Sequence, residues 1–230
     1  MRDRVYCGDV SPSDVPILPA ATVVLLREGR AAPEILLLRR NSQLAFHGGA
    51  WVFPGGRVDA GEGEGEAGAR RAAVREAHEE AGIVLDAGAL AQLSHWTTPE
   101  GQPRRFATLF YVAAADGAEV RIDGGEIHDH RWLTARDALA AHRAKEIELP
   151  PPTFVTLSVL APHHSLAEAV AAAGAVPPRV YLPRIVKVAA GGMASLYPGD
   201  AGWESRDAER PGARHRLLFL ESGWRYQREP

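Results

Sequence analysis

Residues 75–83 read Arg-Glu-Ala-His-Glu-Glu-Ala-Gly-Ile, and this stretch decides how the rest of the chain is interpreted. A helix turns by about 100° per residue, so Glu76, Glu79 and Glu80 share one face of it. The opposite face is apolar and consists of Val74, Ala77 and Ala81. The pattern therefore predicts an amphipathic helix that packs on a core and carries three carboxylates on its other side.

Three carboxylates on one helix face repel one another and raise one another's pKa. A hard divalent cation relieves that repulsion, because Mg²⁺ takes oxygen ligands and keeps several waters beside one or two carboxylates. The alternative is a solvated acidic face whose glutamates pair with neighbouring arginines. The segment nevertheless contains a specific pattern, Arg-Glu-x-x-Glu-Glu-x-Gly, which fixes five positions at once: Arg75, Glu76, Glu79, Glu80 and Gly82. At frequencies of roughly 5–7% each, they coincide by chance about once in a million registers, which favours a metal site.

With residues upstream, the stretch resembles the Nudix box, Gly-x5-Glu-x7-Arg-Glu-U-x-Glu-Glu-x-Gly-U, in which U is aliphatic. Gly56 and Glu62 match its first half, and residues 75–83 match its second half. Twelve residues separate Glu62 from Arg75, where the pattern has seven. The extra length falls in the Gly/Glu run 61–66, which we interpret as a flexible loop insertion outside the site, before a helix from about Ala67 to Ala81. The insertion leaves the role of Glu62 open.

The resemblance implies an α+β fold, an α/β/α sandwich with a mixed β-sheet. It also implies a hydrolase that cleaves the pyrophosphate bond of a nucleoside diphosphate linked to another moiety. The cofactor would be Mg²⁺ or Mn²⁺, bound by Glu76, Glu79 and Glu80, and Arg75 would orient these glutamates through a bidentate contact. Gly55 and Gly56 would permit close approach of the backbone. A nucleotide-binding module without catalysis is the alternative from another class, and a lost box glutamate would indicate it.

Nudix enzymes often use a further carboxylate from outside the box. Glu126 is our candidate and Asp129 the second choice. We expect Glu126 to begin a strand that reaches Trp132. Alternation along this strand would place Glu126, His128 and His130 on the same face. That arrangement allows a zinc site, although solvated edge-strand histidines are the simpler interpretation.

Four arginines are candidates for binding substrate phosphates, with ordinary surface arginine as the alternative for each: Arg39, Arg40, Arg104 and Arg105. Trp51 or Trp96 could stack on adenine, and packing beside a core strand is the simpler role for both.

Further segments resemble the coenzyme A (CoA) diphosphatase branch of the family, which makes CoA or an acyl-CoA the leading substrate. The first set is Leu36–Arg40, Leu44, His47, Gly49, Phe53–Gly56 and Asp59. Ala45 departs from that pattern, which has a basic residue there. The second set resembles the eukaryotic peroxisomal CoA diphosphatases, which also carry an insertion in the box: Trp96, Thr98, Pro99, Arg104–Phe106, Thr108, Phe110 and Leu149–Pro151. ADP-ribose or a nucleotide sugar is the alternative substrate.

Composition limits the class of protein. The 230 residues are 46% hydrophobic and 24% charged, as in a soluble globular protein. The net charge of −3 gives no electrostatic support for binding nucleic acid or an anionic membrane. A single cysteine, Cys7, excludes an intrachain disulfide framework. The polar N-terminal residues and the lack of a long apolar run lead us to expect neither a signal peptide nor a membrane-spanning segment. We expect a cytoplasmic enzyme with a nucleotide-derived substrate, and a homodimer is left open.

Apolar runs and turn residues divide the chain into three parts. Residues 1–16 form a polar lead-in, residues 17–149 the Nudix domain, and residues 150–230 a C-terminal α/β extension packed on it. The runs Ala20–Leu26, Glu34–Arg39, Ala50–Phe53 and Arg105–Val112 predict strands. Thr134 begins a predicted helix, and the prolines 150–152 mark the boundary. In the extension we predict helices at Thr153–Leu160 and Leu166–Ala173, and strands at Val180–Val188 and Leu217–Leu220.

Overall fold

The computed structural model describes residues 15–43, 48–174, 177–189 and 191–230. Within these residues, the main sheet has eight strands, β1 to β8: Ile17–Arg27, Glu34–Arg40, Trp51–Val52, Gly55–Arg57, Ala91–Thr97, Arg105–Ala114, Ile127–Thr134 and Arg179–Tyr181. A second, antiparallel sheet contains β9 to β12: Arg184–Lys187, Met193–Leu196, Arg214–Leu220 and Gly223–Glu229. The helices α1 to α4 are Gly65–Ala81, Ala135–Arg143, Pro151–Leu160 and Leu166–Gly174.

The main sheet is mixed, as predicted. Strands β1 and β6 run parallel over their full paired length, whereas β2 pairs antiparallel with β1 only at Leu26 and Arg27. Further back along β1, the short strand β4 takes the place of β2 and pairs with residues 20–22. Strands β1 and β2 therefore diverge, and the turn between β3 and β4 enters the space between them.

Both faces of this sheet are covered, which confirms the α/β/α sandwich. Alternation along β1 sends Val23 and Leu25 into the core beneath α1, and sends Val24 and Leu26 into the core beneath α2, α3 and α4. All four side chains are fully buried. Burial on both faces explains why the strand reads as an almost continuous apolar run.

Helix α1 packs closely because its inner face is made of alanines. Ala72, Ala73, Ala77 and Ala81 are fully buried against β1 and its neighbours. The helix ends at Gly82, which adopts a left-handed conformation with φ of 70° and donates its N–H to His78 O. It begins at Gly65, two residues before the predicted start, because the first turn of a helix needs no N–H partners and tolerates glycine there.

The segment after residue 150 contributes helices α3 and α4, strand β8 of the main sheet and the whole second sheet. Helix α3 starts at Pro151, where proline is favoured because the first helical N–H has no partner in any case. The predicted strand Val180–Val188 is in fact two strands, β8 in the main sheet and β9 in the second. Pro183 lies between them, since proline cannot donate to a strand ladder.

Residues 1–14 of the predicted lead-in lie outside the described residues, as do Leu44, Ala45 and His47 of the CoA pattern. In the described part of the chain, no helix combines the length and the apolar character needed to cross a membrane.

Candidate active site

The outer face of α1 meets the glycine turn of β4, and two glutamates of the helix are fixed there. Gly55 N–H donates to the Glu80 carboxylate at 2.9 Å. A side-chain carbon placed on Gly56 would overlap the carboxylate of Glu76, and one on Gly55 would overlap the backbone of β1. Only glycine therefore lets the turn approach both the helix and the strand this closely.

Arg75 connects the carboxylates of this face. Its guanidinium donates to Glu62 at 2.9 Å, to Glu76 at 2.7 Å and to Glu79 at 2.9 Å, and it also donates to Arg57 O. The hydrogen bond to Glu62 is the main reason that the pKa of Arg75 is raised. The arginine is thus permanently charged and holds three acidic side chains in place.

Glu62, whose role the sequence left open, lies within this network. Its carboxylate accepts from Asp59 N–H at 2.7 Å as well as from Arg75. Burial acts to raise the pKa of Glu62, but the hydrogen bonds from Arg75 and Asp59 outweigh it and the pKa is lowered. The run that we interpreted as a flexible loop is ordered, because residues 60–62 form a 3₁₀ turn and residues 65 and 66 belong to α1.

Glu76 and Glu80, the two inner glutamates of α1, are destabilised in their charged form. Burial raises the pKa of Glu80 to about 8, with the Gly55 N–H acting against the shift and the charge of Glu76 adding to it. Burial also raises the pKa of Glu76, despite the hydrogen bond from Arg75. Carboxylates that are desolvated and crowded by like charge are suited to a cation.

The potential metal ligands on the outer face of α1 are carboxylate oxygens, which are the ligands that hard divalent cations prefer. Over residues 15–43, 48–174, 177–189 and 191–230, no three acidic, histidine or cysteine side chains stand close enough together to form a ready metal site. Arg75 explains this arrangement, because it holds oxygens of both Glu76 and Glu79. The side chain of Glu79 is 56% exposed and has room to turn toward a cation.

Glu126 approaches the same face from outside the helix. Its carboxylate lies 3.6 Å from the Arg40 guanidinium, and its charge acts on the pKa of both Glu76 and Glu80. Glu126 precedes β7 instead of beginning it, because the Asp123 carboxylate accepts the N–H groups of Glu126 and Ile127 in a turn.

The second-choice carboxylate and the histidines of β7 do not join this face. The Asp129 carboxylate accepts from His130 N–H, and Asp129 lies opposite Arg39 in the backbone register of β7 and β2. The backbone register shifts between Arg39 and Arg40, so strict alternation from Glu126 to His130 does not hold.

A cavity of about 1,010 Å³ opens over the glutamates, and both Arg40 and Arg104 line it. Arg105, which we also predicted to bind phosphate, is buried and donates to Thr98 O, so the structure does not bring it to the site. Arg39 is exposed and does not line the cavity either. Asp123 and Thr22 line it without having been expected from the sequence, and no motif signalled them.

A second cavity, of about 380 Å³, adjoins the first and shares with it Thr22, Arg40, Gly55, Phe106 and Thr108. It gathers segments of the predicted CoA pattern that are far apart in the chain: Trp96, Thr98, Pro99, Phe106, Thr108, Phe110, Pro150 and Pro151. A further depression of about 960 Å³ lies beside α3, α4 and the second sheet. It contains neither the α1 glutamates nor Glu126, so we place the active site at the first two cavities.

The two tryptophans considered for adenine stacking are packed. The ring of Trp96 stacks on Tyr181 with centroids 4.0 Å apart, and the Arg131 guanidinium lies 4.7 Å from the ring centroid of Trp51. Both tryptophans are less than 5% exposed. Their described neighbours therefore assign them to the core.

Comparison with known proteins agrees with this geometry. The family model described as NUDIX domain matches residues 16–151. The chain is 34% identical over 124 residues to the acyl-coenzyme A diphosphatase NUDT19 of Homo sapiens, a match that covers 50% of this chain and 32% of that protein. The chain thus spans about a third of the length of this relative.

Two solved structures share the fold. The NUDIX hydrolase from Alicyclobacillus acidocaldarius superposes with a TM-score of 0.64 at 24% identity, over 68% of this chain and 96% of that one. The NUDIX domain of Shewanella oneidensis NrtR, which was crystallised with ADP ribose, gives a TM-score of 0.51 at 18% identity, over 65% of this chain and 90% of that one. At these identities the two structures support the fold alone.

Proposed function

The chain belongs to the NUDIX domain family, and from this premise we propose that it is a metal-dependent hydrolase of a nucleoside diphosphate linked to another moiety. CoA or an acyl-CoA is the leading substrate. One observation carries the proposal: the glutamates of α1 are intact, and Glu76 and Glu80 are held against a glycine turn at the floor of an open cavity. A binding module without catalysis would not need all three carboxylates.

Glu76, Glu79 and Glu80 would hold Mg²⁺ or Mn²⁺. When bound there, such a cation would neutralise charge on the diphosphate and lower the pKa of a bound water. Arg75 keeps the carboxylates at the cavity floor through its contacts with Glu62 and Glu76. Glu126, which is exposed and lies beside the inner glutamates, is the proposed acceptor for the proton of the attacking water.

Phosphate recognition is assigned to two arginines. Arg40 lines both cavities, and Arg104 lines the carboxylate cavity from an exposed position. Both can donate to phosphate oxygens, which arginine does through parallel hydrogen bonds. Gly55 and Gly56 provide the close backbone approach beside them.

Three observations favour CoA or acyl-CoA over ADP-ribose or a nucleotide sugar. Eight residues of the second CoA set line one cavity, that cavity continues from the carboxylate cavity, and the relative from Homo sapiens is named as an acyl-coenzyme A diphosphatase. A nucleotide sugar has no apolar portion to occupy such a space.

The test is a panel of CoA, octanoyl-CoA, dephospho-CoA, ADP-ribose and NADH, incubated with the full chain and Mg²⁺ or Mn²⁺, with products separated by chromatography. We expect CoA or octanoyl-CoA to be cleaved to 3′,5′-ADP and the corresponding 4′-phosphopantetheine. Turnover of none of these compounds would contradict the proposal, and turnover of ADP-ribose at an equal or higher kcat/KM would contradict the CoA assignment alone.

A further inference from the structure

The second cavity is closed by residues that lie outside the matched NUDIX domain. The family model ends at residue 151, yet the cavity wall includes Pro183, Ile185, Ser195, Tyr197 and Phe219 from the second sheet. A wall of this kind belongs to this chain's own extension.

Strand alternation determines which residues form the wall. In the second sheet Ser195 pairs with Ile185 on one side and with Leu217 on the other, so these side chains share a face, and Phe219 lies two residues further along it. The opposite face fills a small separate core with Val186, Ala194, Leu196 and Leu218. The second sheet therefore has one face in its own core and turns the other toward the NUDIX domain.

The wall is held firmly against the NUDIX domain. Strand β8 extends the main sheet by pairing with β5, and Tyr181 of β8 stacks on Trp96 of β5. Within the second sheet, Asp200 and Arg216 form a buried bidentate ion pair at 2.6 and 2.7 Å. The cavity is thus a preformed feature, as most small-molecule sites are.

The lining is mainly apolar, although Arg40, Gln102, Ser195 and several threonines also contribute to it. One face of the Trp96 ring is covered by Tyr181, and its neighbours Phe110 and Tyr197 approach it at tilted or edge-on angles. Ile185 is 43% exposed on the wall, which leaves aliphatic surface available to a ligand in the cavity. An aliphatic chain fits such a surface better than a flat base with several hydrogen-bonding nitrogens.

We propose that the second sheet forms a specificity wall, with Ile185 and Phe219 binding the aliphatic acyl chain of a thioester arm that extends from the diphosphate. The proposal rests on the proposed function and adds the preference for an acylated substrate over its free thiol. Shared lining residues, among them Arg40 and Phe106, join the acyl cavity to the carboxylate cavity, so one substrate can occupy both.

Calorimetric binding of octanoyl-CoA and CoA to the full chain, in the presence of a chelator, tests the wall apart from catalysis. We expect octanoyl-CoA to bind at least about tenfold more tightly than CoA, and Ile185→Glu to abolish that difference by placing a charge on the wall. Val180→Glu is the matched control, because Val180 is 49% exposed in the same extension and does not line the cavity. It should retain the difference.

The outcomes separate the two proposals. Equal affinities for octanoyl-CoA and CoA in the unsubstituted chain, or a preference that Ile185→Glu leaves unchanged, would overturn the specificity wall. A retained, Ile185-dependent binding preference without hydrolysis when Mg²⁺ or Mn²⁺ is added would overturn the proposed function and leave the wall standing.

Discussion

Glu62 and Arg75 are joined by a hydrogen bond of 2.9 Å across an insertion within the conserved spacing of the family motif. Glu62 remains close to Arg75 despite the additional residues, because residues 60–62 form a 3₁₀ turn and α1 begins at Gly65, so that the insertion is compact. We therefore predict that Glu62 acts as a positioning residue for Arg75.

Glu80→Gln should lower kcat/KM by at least about 10²-fold while the fold is retained. Glutamine has the same volume and can still accept from Gly55 N–H, but it removes a charged oxygen from the proposed metal site. Steady-state hydrolysis and thermal unfolding measure the two properties. Glu64→Gln is the control, since Glu64 is exposed and its side chain makes no capping hydrogen bond. Near-normal turnover of Glu80→Gln at saturating Mg²⁺ would contradict the metal assignment.

Removal of residues 63–66 should lower metal-dependent activity at least about tenfold, although the sequence suggested a dispensable loop. The deletion takes away the first two residues of α1, including the Glu66 carboxylate that pairs with Arg70 at 2.8 Å, and we expect it to draw Glu62 away from Arg75. Activity should be compared with that of Glu62→Gln, which removes only the charge. Full activity of a folded deletion variant would show that the order of this segment is irrelevant to catalysis.

Arg104→Ala should reduce the preference for CoA over dephospho-CoA, because Arg104 is exposed at the cavity rim and free to meet the additional 3′-phosphate. We expect the ratio of the two kcat/KM values to fall about tenfold or more, and a similar loss in Arg40→Ala. Arg39→Ala is the control, since Arg39 is exposed but does not line either cavity. An unchanged ratio in both Arg40→Ala and Arg104→Ala would remove these arginines from recognition of the 3′-phosphate.

Asp200→Asn should destabilise the extension by about 3–5 kcal/mol, because it leaves the Arg216 guanidinium buried without a counter-charge. Urea unfolding followed by tryptophan fluorescence measures the loss. A stability change below about 1 kcal/mol would mean that the pair contributes little to holding the wall.

The same pair predicts a dependence on pH. Burial acts to raise the pKa of Asp200, but hydrogen bonds from Arg216, His215 N–H and Gly202 N–H outweigh it, and the pKa is lowered. A carboxyl whose pKa is lower in the folded state stabilises the fold above its unfolded pKa, and this contribution is lost as the pH falls through the folded pKa. Acid unfolding of the unsubstituted chain should therefore be steeper than that of Asp200→Asn. Coincident acid transitions would contradict the assignment.

The sequence was sufficient where a local period governs the structure. Spacing on a helix predicted that Glu76, Glu79 and Glu80 would lie on one side of α1, and the structure has them around one cavity. Apolar runs located β1 and β2 to within three residues at each end. Thr134 caps α2 as expected, because its hydroxyl accepts from Asp137 N–H.

The sequence was insufficient where the structure depends on which way a side chain points or on which strand a segment pairs with. Arg104 and Arg105 are adjacent and chemically alike, so the sequence does not say which one faces the site. Strand β6 begins at Arg105, which is buried and donates to Thr98 O, whereas Arg104 precedes the strand and lines the cavity. Pro183 divided a predicted strand between two sheets for a similar reason, since only the paired partners show which ladder each half joins.

From the sequence alone came the family, the α/β/α fold and the carboxylates of the helix, because hydrophobic period, glycine positions and helical spacing are properties of neighbouring residues. The tertiary structure alone decided that Glu62 reaches Arg75, and that Ile185 and Phe219 complete a cavity with Trp96 and Pro150. Those relationships depend on how distant segments pair and pack, and strand order, register and the packing of one sheet on another are set by the whole chain at once.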